Sequence, residues 1–263
     1  PMPENPGMSR RKLIGLGAAT VAATALPDAL FRLSSAAAAT GPTEGIGYFA
    51  RFGVTEKMLR DGLSAALSRG ADYADLFFQH RVGNSLALED GEVNRAYASV
   101  ELGVGVRAVK GDQTGYAYTE DLTPEALVQA AKTAAAIADG PAKPGPKGLK
   151  ADASLPSRYP VKTRWEDVRP QQKLPLLSGL NEKVFAADKR ITKVNVGFGD
   201  EAGAILIADS TGRVVEDLQP MTRLGLSCVA EQDGKKETNG YNVAGRADIG
   251  YYSPDRLERI VKE

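Results

Sequence analysis

The chain is poor in the residues that most hydrolytic sites need. Its 263 residues include one histidine, one cysteine and one tryptophan, and its 33 basic and 33 acidic residues leave no formal net charge. A catalytic zinc takes three protein ligands, usually His with a carboxylate or Cys, so His80 alone supplies little of such a site. The single Cys228 excludes an intrachain disulfide. Without a concentrated basic face, a nucleic-acid partner is not predicted.

Long hydrophobic runs are also missing. The weakly apolar run from Leu13 to Leu26 is shorter than the roughly 20 residues that span a bilayer, so no stable membrane span is predicted. It follows a basic segment with Arg10 and Arg11 and precedes the small residues of "SSAAAA", as in a signal peptide. "SRRKLIG" resembles the twin-arginine export signal, with Leu13 where that pattern prefers Phe. The alternative is a basic and apolar helix that stays in the fold.

The resemblance to this signal therefore predicts export by the twin-arginine route and a periplasmic or extracellular location. Residues 1–39 are interpreted as an upstream remnant and a signal peptide. Met8 would be the initiator, and "PMPENPG" read-through or a cloning scar.

Two halves of the remaining chain repeat one pattern. Each has a helix, several short strands with alternating apolar residues, and a closing helix that opens on a Ser/Thr-Pro-acid cap. Thr123-Pro124-Glu125 is matched by Ser253-Pro254-Asp255, 130 positions later. Leu102 to Ala108 alternates as Leu224 to Ala230 does, 122 positions later. The pattern predicts an α+β fold made of duplicated helix plus antiparallel β-meander units.

The predicted organisation has four parts. The signal region, 1–39, is followed by a first α+β unit at 40–138, a Pro/Gly/Lys-rich linker at 139–164 and a second unit at 165–263. The second closing helix is cut by Glu263 after roughly three turns. We expect the intact protein to continue beyond it, the alternative being a natural end.

Candidate catalytic groups are weak on their own. A site made of His80 and Cys228 would take residues from different repeats, and Cys228 occupies the position of Val106, on the apolar side of a strand. We interpret Cys228 as a core thiol and His80 as a surface or partner-facing residue. The carboxylates of "LED" and of Asp200-Glu201 lie at turn signals, and we interpret them as solvated turn residues. No catalytic or metal residue is therefore predicted in this chain.

The glycine-rich segment "GVGVRAVKG" does not fit a phosphate-binding loop. Its glycines lie inside an alternating strand and no helix opens at the last one. Gly103 and Gly105 would leave one face of the strand bare, and Arg107 lies on the same face. This strand is predicted to pack closely against another segment or, alternatively, to face a peptide.

Four segments resemble one protein family. The segments "GADYADLFFQ", "LEDGEV", "GVGVRAVKGDQTGYAY" and "LTPEALVQAA" are similar, in order and spacing, to the N-terminal half of the TldD/PmbA family. Its members were first called modulators of DNA gyrase and are now understood as metalloproteases. "LED" and "GVGVR" look more like the catalytic TldD-type subunit than the non-catalytic PmbA (TldE) type. The resemblance covers residues 54–263.

The resemblance implies activity that this chain cannot perform alone. It implies a β-rich C-terminal domain with a His-Glu-x-x-x-His helix and a Cys ligand, zinc or another divalent metal, a homo- or hetero-oligomer with a family subunit, and an unfolded peptide as substrate. No His-Glu-x-x-x-His occurs in the sequence. We therefore expect the N-terminal portion of an exported TldD-type metallopeptidase, a hydrolase of unfolded peptides, or alternatively a non-catalytic binding and assembly module of PmbA (TldE) type.

Overall fold

The computed structural model describes residues 46–137, 145–151 and 158–263. The predicted signal region, with Arg10 and Arg11, lies outside these residues. Among the described residues, no helix is long and apolar enough to span a bilayer.

The described chain forms two units with the same order of elements. The first consists of α1 (Glu56–Leu67), β1 (Tyr73–Glu89), β2 (Glu92–Lys110), β3 (Gln113–Thr119) and α2 (Pro124–Ala135). The second consists of α3 (Pro170–Ala187), β5 (Ile191–Asp209), β6 (Arg213–Gln232), β7 (Lys235–Gly245) and α4 (Pro254–Lys262), with a short strand, β4 (Lys150–Ala151), ahead of it. Each unit is a helix, three antiparallel strands and a helix, so the predicted α+β duplication is confirmed.

Local signals place the ends of several elements. The Thr123 hydroxyl accepts from the Ala126 amide at 3.3 Å and the Ser253 hydroxyl from the Arg256 amide at 3.4 Å, so both closing helices begin at the predicted caps. Asp90 and Gly91 both have positive φ, 49° and 89°. These angles suit the tight turn predicted between β1 and β2.

The strands are longer than the sequence patterns predicted. "DLFFQHRV" and "SLALED" were expected as separate strands, yet both belong to β1. Similarly, β5 runs unbroken through Asp200-Glu201, so the prediction that these two carboxylates are solvated turn residues is wrong. Gly83 and Glu201 pair directly with each other across β1 and β5. Polar residues that resemble a turn in sequence therefore lie in the middle of the sheet.

One sheet joins the two units. β1 pairs antiparallel with β5 from Asp75–Asp209 to Glu89–Asn195, and the strand order is β3-β2-β1-β5-β6, with β4 and β7 at different ends of the far edge of β6. The central ladder relates β1 to β5 by an approximate two-fold axis perpendicular to the sheet. The predicted linker lies partly outside the described residues; its Lys150 and Ala151 pair in parallel with β6.

All four helices lie on the same face of this sheet. The side chains that point to that face form two separate apolar cores, one at each end of the long strands. The first core lies under α1 and α2 and includes Leu76, Phe78, Val106, Leu127 and Leu206. The second lies under α3 and α4 and includes Trp165, Leu177, Val196, Phe198 and Leu224. A perpendicular two-fold axis keeps both helix pairs on one side, which leaves the other side of the sheet without helices.

A central polar strip separates the two cores on the helix-covered face. It consists of His80, Asn84, Asp200 and Thr222, which share this face by strand alternation. The Lys173 ammonium, from α3, lies 2.5 Å from the Asp200 carboxylate, and both side chains are almost completely buried. The Asn84 amide also donates to Asp200, at 2.9 Å. Burial raises the pKa of the Asp200 carboxyl, and Lys173 and Asn84 oppose that shift.

Removing one member of this buried pair should strongly destabilise the fold. The substitution Asp200→Asn leaves the Lys173 charge buried without a counter-ion, and we expect it to lower the free energy of unfolding by about 3–5 kcal/mol. Adding Lys173→Met should recover most of that loss because no buried charge then remains. Urea unfolding at pH 7 measures both.

The exposed Lys57–Asp61 pair of α1 provides the matched control. Its side chains are 78% and 42% exposed, so Lys57→Met should cost less than about 1 kcal/mol. An Asp200→Asn effect as small as that of the control would show that the Lys173–Asp200 pair is hydrated in solution.

Candidate functional site: the open face of the sheet

The face of the sheet opposite the helices, called here the open face, carries no described helix. It is formed by the odd-numbered residues of β1, β5 and β6, together with those of β2 from Arg95 to Val109, where β2 pairs in regular register with β1. The predicted strand residues Gly103, Gly105 and Arg107 all lie on it. Large hydrophobic side chains are exposed here, among them Phe77, Tyr97, Tyr116 and Tyr118.

Glycine is concentrated on the open face. Of the ten glycines in the described strands, eight lie there: Gly83, Gly103, Gly105, Gly197, Gly199, Gly203, Gly225 and Gly240. The other two, Gly115 and Gly245, are on the helix side, where a Cβ on Gly115 would lie 1.9 Å from the Ala134 carbonyl oxygen. Glycine on the helix side thus permits helix contact. On the open face only Gly197 leaves the backbone bare, and the other seven glycines lie close to atoms of neighbouring strands.

The half of the open face in the first unit is aromatic. A Cβ on Gly105 would lie 2.6 Å from the Tyr116 hydroxyl, so the Tyr116 ring covers that glycine, and a Cβ on Gly103 would lie 2.9 Å from the carbonyl oxygen of Thr119. Phe77, Tyr116 and Tyr118 line the same shallow groove. The close neighbours of Gly103 and Gly105 therefore come from β3.

The half in the second unit is bare and polar. Gly197 pairs with Gly225 across β5 and β6, and no atom lies within 4 Å of a Cβ placed on Gly197. The groove around these glycines is lined by polar groups that include Ser85, Asn195, Arg223, Ser227 and Asn242. An extended segment could approach the backbone closely at Gly197, whereas a Cβ on Gly225 would lie 2.8 Å from the Cβ of Asn242.

Two arginines on the open face are held in ion pairs. The Arg107 guanidinium donates through Nε to the Asp75 carboxylate at 2.9 Å, and the ion pair raises the pKa of Arg107. Arg81 similarly binds Glu201 and lies 3.7 Å from Glu101. Arg107 is therefore ordered by β1 and stands beside the groove formed by Tyr73, Phe77 and Tyr116.

Metal-binding groups do not converge within the described residues. No group of three or more His, Cys, Asp or Glu side chains is placed to hold a metal ion there. His80 lies opposite Ala204 and Cys228 opposite Val194. These positions are ten residues apart along β5, or about 33 Å. The described residues thus do not fit a metallopeptidase centre, and no reaction step is assigned to them. Cys228 packs at the edge of the second core.

His80 is buried, which contradicts the expectation of a surface or partner-facing residue. It is 8% exposed, and its Nδ1 lies 2.8 Å from the Tyr48 hydroxyl oxygen. That hydroxyl donates its hydrogen to Glu166 at 3.2 Å. The contact joins β1 to a short helical turn before α1 (Gly47–Phe52) and to another before α3 (Trp165–Asp167). Sequence reasoning missed this cluster because its members are up to 118 residues apart.

Electrostatics in the His80 cluster follow from burial. Desolvation lowers the pKa of the His80 imidazole, an effect that Glu166 opposes and Arg51 reinforces. Desolvation, together with Glu166, raises the pKa of Tyr48 to about 12. Tyr48 therefore remains protonated at neutral pH and able to donate its hydrogen bond.

Comparison with known proteins identifies the family. The family model for PmbA/TldA metallopeptidase domain 1 matches residues 74–138, and the model for the PmbA/TldA metallopeptidase central domain matches residues 163–263. The chain belongs to the PmbA/TldD family. The two matched regions contain the strands and closing helices of the two repeated units.

Curated relatives of the family are longer than this chain. It is 31% identical over 188 residues to the Metalloprotease TldD homolog of Haemophilus influenzae, covering 70% of this chain and 38% of that protein. It is 25% identical over 211 residues to the Metalloprotease PmbA of Escherichia coli O157:H7, covering 76% and 46%. The matched part is therefore less than half of each relative.

Solved structures share the fold. A Bacteroides thetaiotaomicron protein named as a modulator of DNA gyrase superposes with a TM-score of 0.60 at 18% identity, covering 79% of this chain and 49% of that one. TldE from Thermococcus kodakarensis gives 0.55 at 18% identity, covering 79% and 46%. This chain therefore shares its fold with part of each of these two structures.

Burial of His80 predicts a pH dependence of stability. The folded state binds the His80 proton more weakly than the unfolded state does, where the pKa is about 6.5. Below that pH the unfolded state therefore binds more protons, and the free energy of unfolding should decrease as the pH falls from 7 to 5. Because His80 is the only histidine, His80→Gln should make this decrease less steep. Urea unfolding at pH 7, 6 and 5 compares the two proteins; parallel curves would contradict the prediction.

Proposed function

We propose that this chain is the N-terminal, metal-free portion of a TldD-type metallopeptidase that hydrolyses unfolded peptides. The PmbA/TldD family models across both units and the similarity to proteins named metalloproteases support the reaction class. The higher identity, 31%, is to a TldD homolog, against 25% to PmbA. The catalytic zinc or other divalent metal would be held by a part of the protein beyond this chain.

The open face is proposed as the surface that borders the bound peptide. The observation that carries this assignment is the concentration of glycines there, with exposed aromatic rings at one end. An extended peptide needs close approach to backbone together with places for alternate side chains. The bare backbone at Gly197 offers the first, and the groove around Gly105 and Tyr116 offers the second.

The alternative is a binding and assembly module without activity, as the similarity to PmbA also allows. In both cases the chain would act in a homo- or hetero-oligomer with a PmbA/TldD-family subunit. The two differ in whether the full-length protein cleaves peptide.

Peptide cleavage by the full-length protein tests the proposal. Cleavage of an unfolded peptide should be abolished by a chelator and restored by zinc or another divalent metal, since the metal activates the attacking water. In the same assay Gly197→Tyr should lower kcat/KM about tenfold, because the ring occupies the bare part of the open face.

The control for that substitution is Gly179→Tyr on α3. A Cβ on Gly179 also meets no atom within 4 Å, but Gly179 lies on the helix-covered side, so activity should be unchanged. Cleavage that survives chelation would overturn the reaction class, no cleavage under any metal would favour the binding module, and equal effects of the two tyrosines would remove the role of the open face.

Export by the twin-arginine route is part of the same proposal. Its support is the sequence around Arg10 and Arg11. In a bacterium with that pathway, the protein should be found in the periplasmic fraction, and the double substitution Arg10→Lys, Arg11→Lys should retain it in the cytoplasm. Arg32→Lys is the control. The same distribution for the protein and its double variant would disprove recognition of the pair.

A further inference from the structure

The outer edge of β2 has no strand beside it in the described part of the chain. β2 runs from Glu92 to Lys110, but β3 pairs only with Val104–Lys110. Residues 92–103 therefore have β1 on one side and unpaired backbone groups on the other. A free edge of this length presents a row of donors and acceptors to which another strand can add.

This edge has little of the usual protection against pairing. Residues 92–101 contain no proline and no lysine, and their three charged residues, Glu92, Arg95 and Glu101, point to the open face rather than inward. They expose Val93, Tyr97 and Val100, at 48%, 59% and 60%. The outer edge of β7, by contrast, opens with the charged Lys235-Lys236-Glu237, which discourage a new strand. The β2 edge is therefore better suited to strand addition than the β7 edge.

We propose that two copies of this chain pair through this edge, with their β2 strands antiparallel and centred on Ala98. Charge complementarity supports a second copy as the occupant. In this register Arg95 lies opposite the partner's Glu101, which is also 3.7 Å from Arg81 within its own chain, and the two-fold axis repeats the pair. Tyr97 then lies opposite the partner's Ser99.

The geometry of β2 is compatible with that ladder. Arg95 and Glu101 both point to the open face, since they pair with Ala87 and Arg81 of β1. The strand is regular from Arg95 to Glu101; the β-bulge lies at Asn94, where Ala87 pairs with Arg95 and Leu88 with Val93. Moving the centre by one residue in either direction places Arg95 opposite Ser99 or Gly103 and removes the charge pair.

Pairing at this edge would extend the sheet through both copies. Residues directly opposite each other in an antiparallel ladder point to the same face, so the two open faces would form one surface. The dimer would define the interface of the proposed oligomer. It rests on the proposed function only in the assignment of the joint surface to peptide binding.

Disulfide cross-linking tests the register directly. Two cysteines at position 98 would lie opposite each other at about 4.5–5.5 Å between Cα atoms, a distance that a disulfide bridges. Ala98→Cys in a Cys228→Ser background should therefore give a covalent dimer on mild oxidation. Ala96→Cys is the matched control on the same face: its two copies would be four residues apart, about 13 Å, and should not cross-link.

Charge reversal tests the contact without oxidation. Arg95→Glu should raise the dissociation constant of the dimer about tenfold, because two reciprocal pairs become repulsive. Adding Glu101→Arg should restore part of the affinity, because the new arginine also meets Arg81 of its own chain. Lys235→Glu at the β7 edge should have no effect. Sedimentation over a concentration series measures all four proteins.

The outcomes separate this inference from the proposed function, since neither readout involves metal or cleavage. Selective cross-linking at 98 and rescue by the double reversal would support the dimer. A monomer at every concentration, equal cross-linking at 96 and 98, or no rescue would overturn it, whatever the peptidase assay shows. A free edge that pairs only when an unfolded peptide is added would also overturn it and assign the edge to peptide binding.

Discussion

The antiparallel ladder between β1 and β5 is the contact on which the rest of the structure depends. Fifteen residue pairs, from Asp75–Asp209 to Glu89–Asn195, join two repeated units into one sheet. Because the ladder relates the units by an axis perpendicular to the sheet, their helices must fall on the same face and at opposite ends. The two cores, the polar strip between them and the helix-free open face all follow from that symmetry.

The polar strip is the consequence that requires specific side-chain partners. Where β1 and β5 cross from one core to the other, His80 and Asp200 are buried without the apolar cover of either helix pair. Each therefore needs a specific partner: Tyr48 for His80 and Lys173 for Asp200. These contacts attach α3 and the turn before α1 to the junction, so the joint between the repeats is held by polar contacts as well as by strand pairing.

The open face is the part of this fold that we propose borders the bound peptide. Nothing in the described residues fits a metal centre, and the chain spans less than half of its curated relatives. The described residues of this chain present a long surface with exposed aromatic rings at one end and bare backbone at Gly197 toward the other. Glycine performs opposite tasks on the two faces, admitting α2 at Gly115 and leaving the backbone uncovered at Gly197.

Local sequence alone was sufficient for the helix caps at Thr123 and Ser253, the Asp90-Gly91 turn and the duplicated order of elements. These depend on residues a few positions apart, or on a pattern that recurs in the chain. The burial of His80 and Asp200, and the gathering of eight glycines on one face, were decided by the tertiary structure. Their surroundings come from pairing between strands more than 100 residues apart, which sets the face of each side chain and therefore turned an apparent solvated turn into the centre of a sheet.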